Sequence, residues 1–339
     1  MKLVVTGGAG FIGSNFVHRT LAAHPDWKLL VVDKLTYAGN LKNLEAALQS
    51  DRCEFVQMDI CGPAVGDLLR GSDAVVHFAA ESHVDRSIED AAAFVRTNVE
   101  GTHNLVQASR QAAVPRFIHV STDEVYGSLG EDGQFTEESP LQPNSPYAAT
   151  KAASDLLVLA YVRTHKFPGI VTRCSNNYGP YQFPEKFVPL MIAQAMAGKR
   201  LPVYGKGANV RDWLHVSDHC DAIEAVLAQG RCGEVYNIGG GREMRNIDVA
   251  HLILRRLGLP ETLIEFVKDR PGHDLRYAIS CEKLSGETGW QAKISFEEGL
   301  QQAIDWYRNN QAWLDDVRSG AYRDYFDRHY SKRESTFAG

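Results

Sequence analysis

The chain has 339 residues, 44% of them hydrophobic and 23% charged, with 36 basic against 42 acidic side chains and a formal net charge of −6. Such a composition fits a globular protein able to bury a full core, and the length suggests two domains. It excludes the basic footprint of a nucleic-acid or anionic-membrane binder, and no apolar run approaches the ~20 residues of a membrane span.

The first expected element is the apolar strand Lys2 to Thr6; it starts so early that no secretory leader is expected. Gly7-Gly8-Ala9-Gly10-Phe11-Ile12-Gly13 follows it, and Gly8-x-Gly10-x-x-Gly13 has the spacing of a dinucleotide fingerprint. The pattern alone is weak, but its setting is the required one: a strand before it and an amphipathic helix (Phe16, Val17, Leu21) from about Phe11. The positive end of that helix suits a pyrophosphate. A second strand, Leu29 to Val32, ends in Asp33, an acid placed to accept hydrogen bonds from a ribose diol and to repel a 2′-phosphate. NAD rather than NADP is the expected cofactor.

Cys53–Gln57, Ala74–Phe78 and Arg116–Val120 read as buried parallel strands, with helices over Asp90–Gln111 and Ser145–His165. Alternation of strand and helix to about residue 173 predicts a doubly wound α/β fold, a parallel sheet covered on both faces. Beyond Arg173 the pattern breaks into loops with short helices (Glu185–Ala197, Ile247–Leu257, Phe296–Asn309), which reads as a smaller mixed α/β lid. The apolar run Val235–Ile238 is expected to return to the main sheet. The expected division is 1–173, with about 212–240 returning, for NAD, and 174–211 with 241–339 for a substrate.

Two motifs carry chemistry. Tyr147 and Lys151 stand one helical turn apart, so both face one way, and an ammonium there could stabilise a phenolate otherwise unreachable at neutral pH. Asp123 and Glu124 follow the strand Arg116–Val120, where a doubly wound sheet opens its ligand crevice. Redox chemistry needs the Tyr/Lys pair alone; two further acid/base groups imply proton transfer at a second carbon. His215 and His219 have metal-pair spacing, but no acid sits between them, and they read as capping and packing residues with no metal expected. Trp306, Tyr307, Trp313, Tyr322, Tyr325, Phe326 and Tyr330 lack a basic stripe and read as lid packing. Six cysteines (53, 61, 174, 220, 232, 281) without C-x-x-C spacing read as reduced thiols of a cytoplasmic protein.

The chain resembles the extended short-chain dehydrogenase/reductases and, within them, the dTDP-glucose 4,6-dehydratases. The resemblance runs nearly end to end: GGAGFIG (7–13), DKLTYAGN (33–40), DI (59–60), FAAESHVDRSI (78–88), TN (97–98), STDEVYG (121–127), YAATKAASD (147–155), CSNNYGPYQFPEK (174–186), LPVYGKG (201–207), VRDWLHVSDH (210–219), YNIGG (236–240) and DRPGHDLRYAI (269–279). The glycine motif and the Tyr/Lys pair mark the superfamily; the Asp-Glu pair, the double Asn and DRPGH narrow it. Thr150 and Phe187 stand where serine and leucine are commoner.

The resemblance implies an NAD-dependent hydro-lyase, with Tyr147 as base at the sugar O4, Thr122 assisting it, Glu124 as base at C5 and Asp123 as acid at the C6 hydroxyl. It implies cofactor contacts from Gly7, Gly10, Phe11, Ile12, Gly13, Asp33, Lys34, Leu35, Thr36, Asp59, Ile60, Ala79, Ala80, Thr97, Tyr147, Lys151 and Asn177. Nucleotide-sugar contacts are implied for Ser82, Thr122, Asn176, Lys186, Phe187, Pro202, Val203, Tyr204, Arg211, Asn246, Arg270 and His273. It also implies a homodimer built on helices Asp90–Gln111 and Ser145–His165 as a four-helix bundle. A 4,6-dehydratase for a UDP-, CDP- or GDP-linked sugar and a UDP-sugar 4-epimerase or decarboxylase remain alternatives. An NAD sensor without chemistry would be expected to lack Tyr147 or Lys151.

Overall fold

Short apolar runs separated by amphipathic helices assemble into one parallel sheet. The computed structural model of the protein describes residues 1–318. Its strands are β1 (Lys2–Thr6), β2 (Lys28–Asp33), β3 (Cys53–Gln57), β4 (Ala74–His77), β5 (Phe117–Thr122), β6 (Gly169–Cys174), β7 (Asn176–Tyr178), β8 (Leu201–Tyr204), β9 (Val210–His215), β10 (Val235–Ile238), β11 (Glu243–Arg245) and β12 (Ile264–Val267). Seven of them form the main sheet in the order β3-β2-β1-β4-β5-β6-β10, every pair parallel. The chain reverses its direction of travel across the sheet between β1 and β4, which opens a crevice at their carboxyl ends.

The strands are apolar on both sides because both sides are covered. Leu3 and Val5 of β1 join one core with Phe16, Val17 and Ile223, while Val4 joins another with Leu105, Phe117 and Val158. A third core gathers helices Phe187–Met196, Asn246–Leu257 and Phe296–Asn309 around Tyr178 and Trp213. There β7 pairs parallel and β11 antiparallel with β9, and β12 pairs with β8. The architecture is thus a large parallel sheet plus a smaller mixed unit, as expected. β10 does lie against β6, Val235 opposite Val171.

Several boundaries differ from expectation. β4 stops at His77, and β5 starts at Phe117 and continues to Thr122, so the acid pair leaves the strand without an intervening loop. The helix expected from Glu185 begins at Phe187, with Lys186 extended at its cap. The expected continuous helix Asp90–Gln111 is α-helical over Ala92–Phe94, π-helical over Val95–Gly101 and α-helical again over Thr102–Gln111. No helix of the described residues is long and apolar enough to cross a membrane.

Candidate active site

The cofactor half of the site follows from backbone crowding. Gly7, at φ 71°, passes so close to the next strand's end that a Cβ would lie 2.4 Å from the Ala79 nitrogen. At Gly13 a Cβ would come within 2.3 Å of the Gly7 carbonyl. Only glycines let the turn fold this tightly and bring helix Phe11–Ala23 up to the crevice. Asp33 closes β2, its carboxylate fixed by the Ala9 N–H (3.0 Å) and the Leu35 N–H (2.8 Å). Asp59 sits opposite, paired with Lys34 at 2.8 Å; burial opposes its ionisation, but Lys34 and the Cys61 N–H outweigh this and bring its pKa down to about 2.

These residues open on a cavity of about 280 Å³. Every residue expected at the cofactor lines it except Leu35, whose N–H holds Asp33. The cavity also takes in Ser82, Asn176, Lys186 and the residues expected to be catalytic, Thr122, Asp123, Glu124, Tyr147 and Lys151. The other residues expected at the substrate lie outside its lining. Phe187 stacks on Trp213, and Pro202, Val203 and Tyr204 form β8. Arg211 leans over the Tyr277 ring and donates to the Asp274 carbonyl at 3.0 Å, Asn246 starts a helix, and His273 meets Asp269 at 2.6 Å. Arg270 pairs with Asp85 at 3.2 Å. Arg211 and Arg270 still act on Glu124 electrostatically, so their cluster borders the same space.

Tyr147 and Lys151 lie in the helix Pro146–His165, which Ser145 caps through the Ala148 N–H with Pro146 at its first position. Tyr147 donates its backbone N–H to Ser87 Oγ at 3.1 Å, and its ring packs with Val84 and Phe94. Lys151 Nζ donates to the Val120 carbonyl at 2.8 Å. Burial lowers the Lys151 pKa to about 8, against the opposing pull of Asp155 and Cys174. Burial, Glu124 and Cys174 push Tyr147 well above its ordinary value, and a hydrogen bond with Thr122 offsets only part of this.

The acid pair is split. Thr122 ends β5 and accepts the Glu124 N–H at 3.2 Å, starting a short 3₁₀ turn. Asp123, 1% exposed, has an Oδ2 with no partner among the described residues. Burial, then Glu124 and Asp212, push its pKa well up. Burial also raises Glu124, but Arg270, Lys186 and Arg211 pull it back. Burial thus raises both carboxyls, and the three cations around Glu124 oppose that rise more strongly than Arg211 alone does at Asp123, an asymmetry suited to one acid and one base.

Sequence reasoning assigned no role to Cys174, Glu81 or Glu185, which also line the cavity. Glu185 binds Arg86 at 3.2 Å, and Arg86 covers the Tyr37 ring at 3.9 Å. All stand in stretches matching the family, but their partners are remote in the chain, so no local pattern revealed them. His215 caps the following helix through the Ser217 N–H, and His219 Nδ1 bonds Asn177 at 2.9 Å, in line with the packing role expected. Trp306, Tyr307 and Trp313 pack in the third core with Tyr181 alongside; Tyr322, Tyr325, Phe326 and Tyr330 lie outside the described residues.

A family model described as GDP-mannose 4,6 dehydratase matches residues 4–303. The dTDP-glucose 4,6-dehydratase of Streptomyces niveus is 52% identical over 324 residues, covering 94% of this chain and 96% of that protein. The chain belongs to the dTDP-glucose 4,6-dehydratase family. Among solved structures, the Streptomyces venezuelae enzyme of that name, with NAD and TDP bound, superposes with a TM-score of 0.92 at 51% identity, covering 94% of this chain and all of that one. The UDP-glucose 4-epimerase of Thermus thermophilus, in complex with NAD, reaches 0.84 at 30% identity over 91% of this chain and all of that one. Fold similarity alone thus spans two chemistries.

Proposed function

We propose that the protein dehydrates dTDP-glucose to dTDP-4-keto-6-deoxyglucose and water, using tightly held NAD. The split between Asp123 and Glu124 carries this reading, because epimerisation at C4 would need neither group. The glycine turn, Asp33 and the cavity on which they open suit a dinucleotide. That turn, Asp33 and Asp59 would hold NAD, which would supply reversible hydride-transfer chemistry for C4 and C6. Tyr147, in hydrogen-bond contact with Thr122, takes the O4 proton. Glu124 removes the C5 proton made acidic by the new ketone, and Asp123 protonates the departing C6 hydroxyl. Glu124 returns its proton to C5, and the proton that Tyr147 took from O4 passes through solvent to restore Asp123, so the net change is the loss of one water.

In this reading residues 1–173 with about 212–240 hold NAD, and 174–211 with 241–339 hold the nucleotide sugar. Arg211, Arg270, His273 and Lys186 offer charge-assisted donors for a diphosphate. Buried, unpartnered Asn176 Oδ1 and Asn246 Oδ1 support polar ligand contacts nearby. The reading includes a homodimer through helices 90–111 and 145–165, and residence in the reducing cytoplasm, where six free thiols are at home. The test is incubation with dTDP-glucose followed by alkali. A near-ultraviolet chromophore and loss of one water from the nucleotide sugar are expected; an epimer, or unchanged substrate, would overturn the assignment.

A further inference from the structure

Asp85 is a buried carboxylate that the proposed chemistry leaves without a task. It lies in the first turn of the short helix Val84–Glu89 and is 4% exposed. Its Oδ2 accepts the Tyr204 hydroxyl at 2.7 Å and its Oδ1 accepts Arg270 Nη1 at 3.2 Å. Tyr204 ends β8, and Arg270 lies in the loop that follows β12. The same helix reaches the catalytic one through Ser87, which receives the Tyr147 N–H. One short element therefore ties the base's backbone to two segments of the smaller unit.

Arg270 is nearly enclosed, its side chain 17% exposed, and its Nε is buried with no partner among the described residues. A guanidinium taken from water needs a counter-charge and fixed acceptors. Asp85 holds one arm of the planar fork and leaves the Nε donor available, so an anionic ligand and Asp85 can occupy different edges at once. We infer that Asp85 is a positioning residue: it clamps Arg270 and Tyr204 so that the free guanidinium edge is presented to the diphosphate of the nucleotide sugar. Arg270 also opposes the burial-driven rise of the Glu124 carboxyl, so the clamp bears on that residue as well as on binding. This rests on the dehydratase reading above.

If Asp85 instead competed with the ligand for Arg270, its removal would tighten binding. A double-mutant cycle on the NAD-containing protein, read by calorimetric binding of dTDP, decides between these. Asp85→Asn should weaken dTDP roughly ten- to a hundredfold, the scale of one charge-assisted hydrogen bond. Arg270→Gln should cost at least as much, and the double variant should bind no more weakly than Arg270→Gln alone, because Asp85 acts through Arg270. Additive losses, unchanged affinity or tighter binding in Asp85→Asn would overturn the inference. Should Asp85→Asn fail to fold, Asp85→Glu keeps the buried charge while displacing it, and the same non-additivity is required. Wild-type turnover of dTDP-glucose, measured on the same preparation, is independent: its absence would sink the activity assignment, whereas the dTDP cycle reports on the clamp alone.

Discussion

A phenol buried beside Glu124 and Cys174 resists ionisation, which sets how strongly turnover depends on Tyr147. Tyr147→Phe keeps the ring packing on Phe94 but removes the proton acceptor, and kcat should fall roughly 10²- to 10⁴-fold with NAD retained. Near wild-type turnover would reassign the base. The acid pair is separated by solvent deuterium incorporation at C5. Glu124→Gln should abolish it while C4 oxidation persists; Asp123→Asn should keep it while product formation slows. Equal incorporation in both variants would contradict the division into one base and one acid. Lys151 sets a pH limit: with a pKa lowered by burial to about 8, it is charged below that pH and neutral above. Turnover should decline through about pH 8, and Lys151→Arg, which does not deprotonate, should lack that alkaline limb in its pH profile. Stability runs the other way, since between about 8 and 10.5 the unfolded chain binds the extra proton. The cost of burying Lys151 is greatest below pH 8 and fades as pH rises.

At the scale of elements, the π-helical turn Val95–Gly101 interrupts what the apolar pattern presents as one helix. Such turns widen a helix by one residue and shift the faces that follow, frequently at functional sites. Here Thr97 lines the cofactor cavity, and Asn98 binds both backbone groups of Glu81, at 2.8 and 3.0 Å, and Thr150 Oγ1 at 2.9 Å. Asn98→Ala should strand those buried partners at a cost of roughly 1–3 kcal/mol and loosen NAD. Thermal unfolding with and without added NAD measures both; an unchanged midpoint would show the bonds to be dispensable. Legibility from sequence followed locality. Cys53–Gln57, Val235–Ile238 and Phe296–Asn309 were readable to the residue because apolar run or helical period suffices. Strands β8, β9 and β12 were not, since their pairing joins segments distant in the chain, and β9 buries Arg211 and Asp212 beside Trp213 and Leu214, which breaks the apolar run. Likewise, Asp123 and Glu124 were visible as a pair, but their unlike surroundings come from Asp212 on one side and Lys186 and Arg270 on the other, with Arg211 acting on both.

For the molecule as a whole, the helices that frame the catalytic pair also expose the surface expected to join two copies. Val95 and Leu156 are 45% and 56% exposed, on helices Val95–Gly101 and Pro146–His165. Large exposed aliphatic side chains on neighbouring helices cost little singly but favour association when they can be covered together. Leu156 lies on the helix of Tyr147 and Lys151, so packing against a second copy would brace the catalytic helix from its outer side. Light scattering at micromolar concentration should give about twice the chain mass of 37.6 kDa. Leu156→Asp buries a charge in that contact if the dimer forms there, and should shift the mass to 37.6 kDa while the protein stays folded. A wild-type mass of one chain would sink the dimer, and a dimeric Leu156→Asp would move the interface to another face.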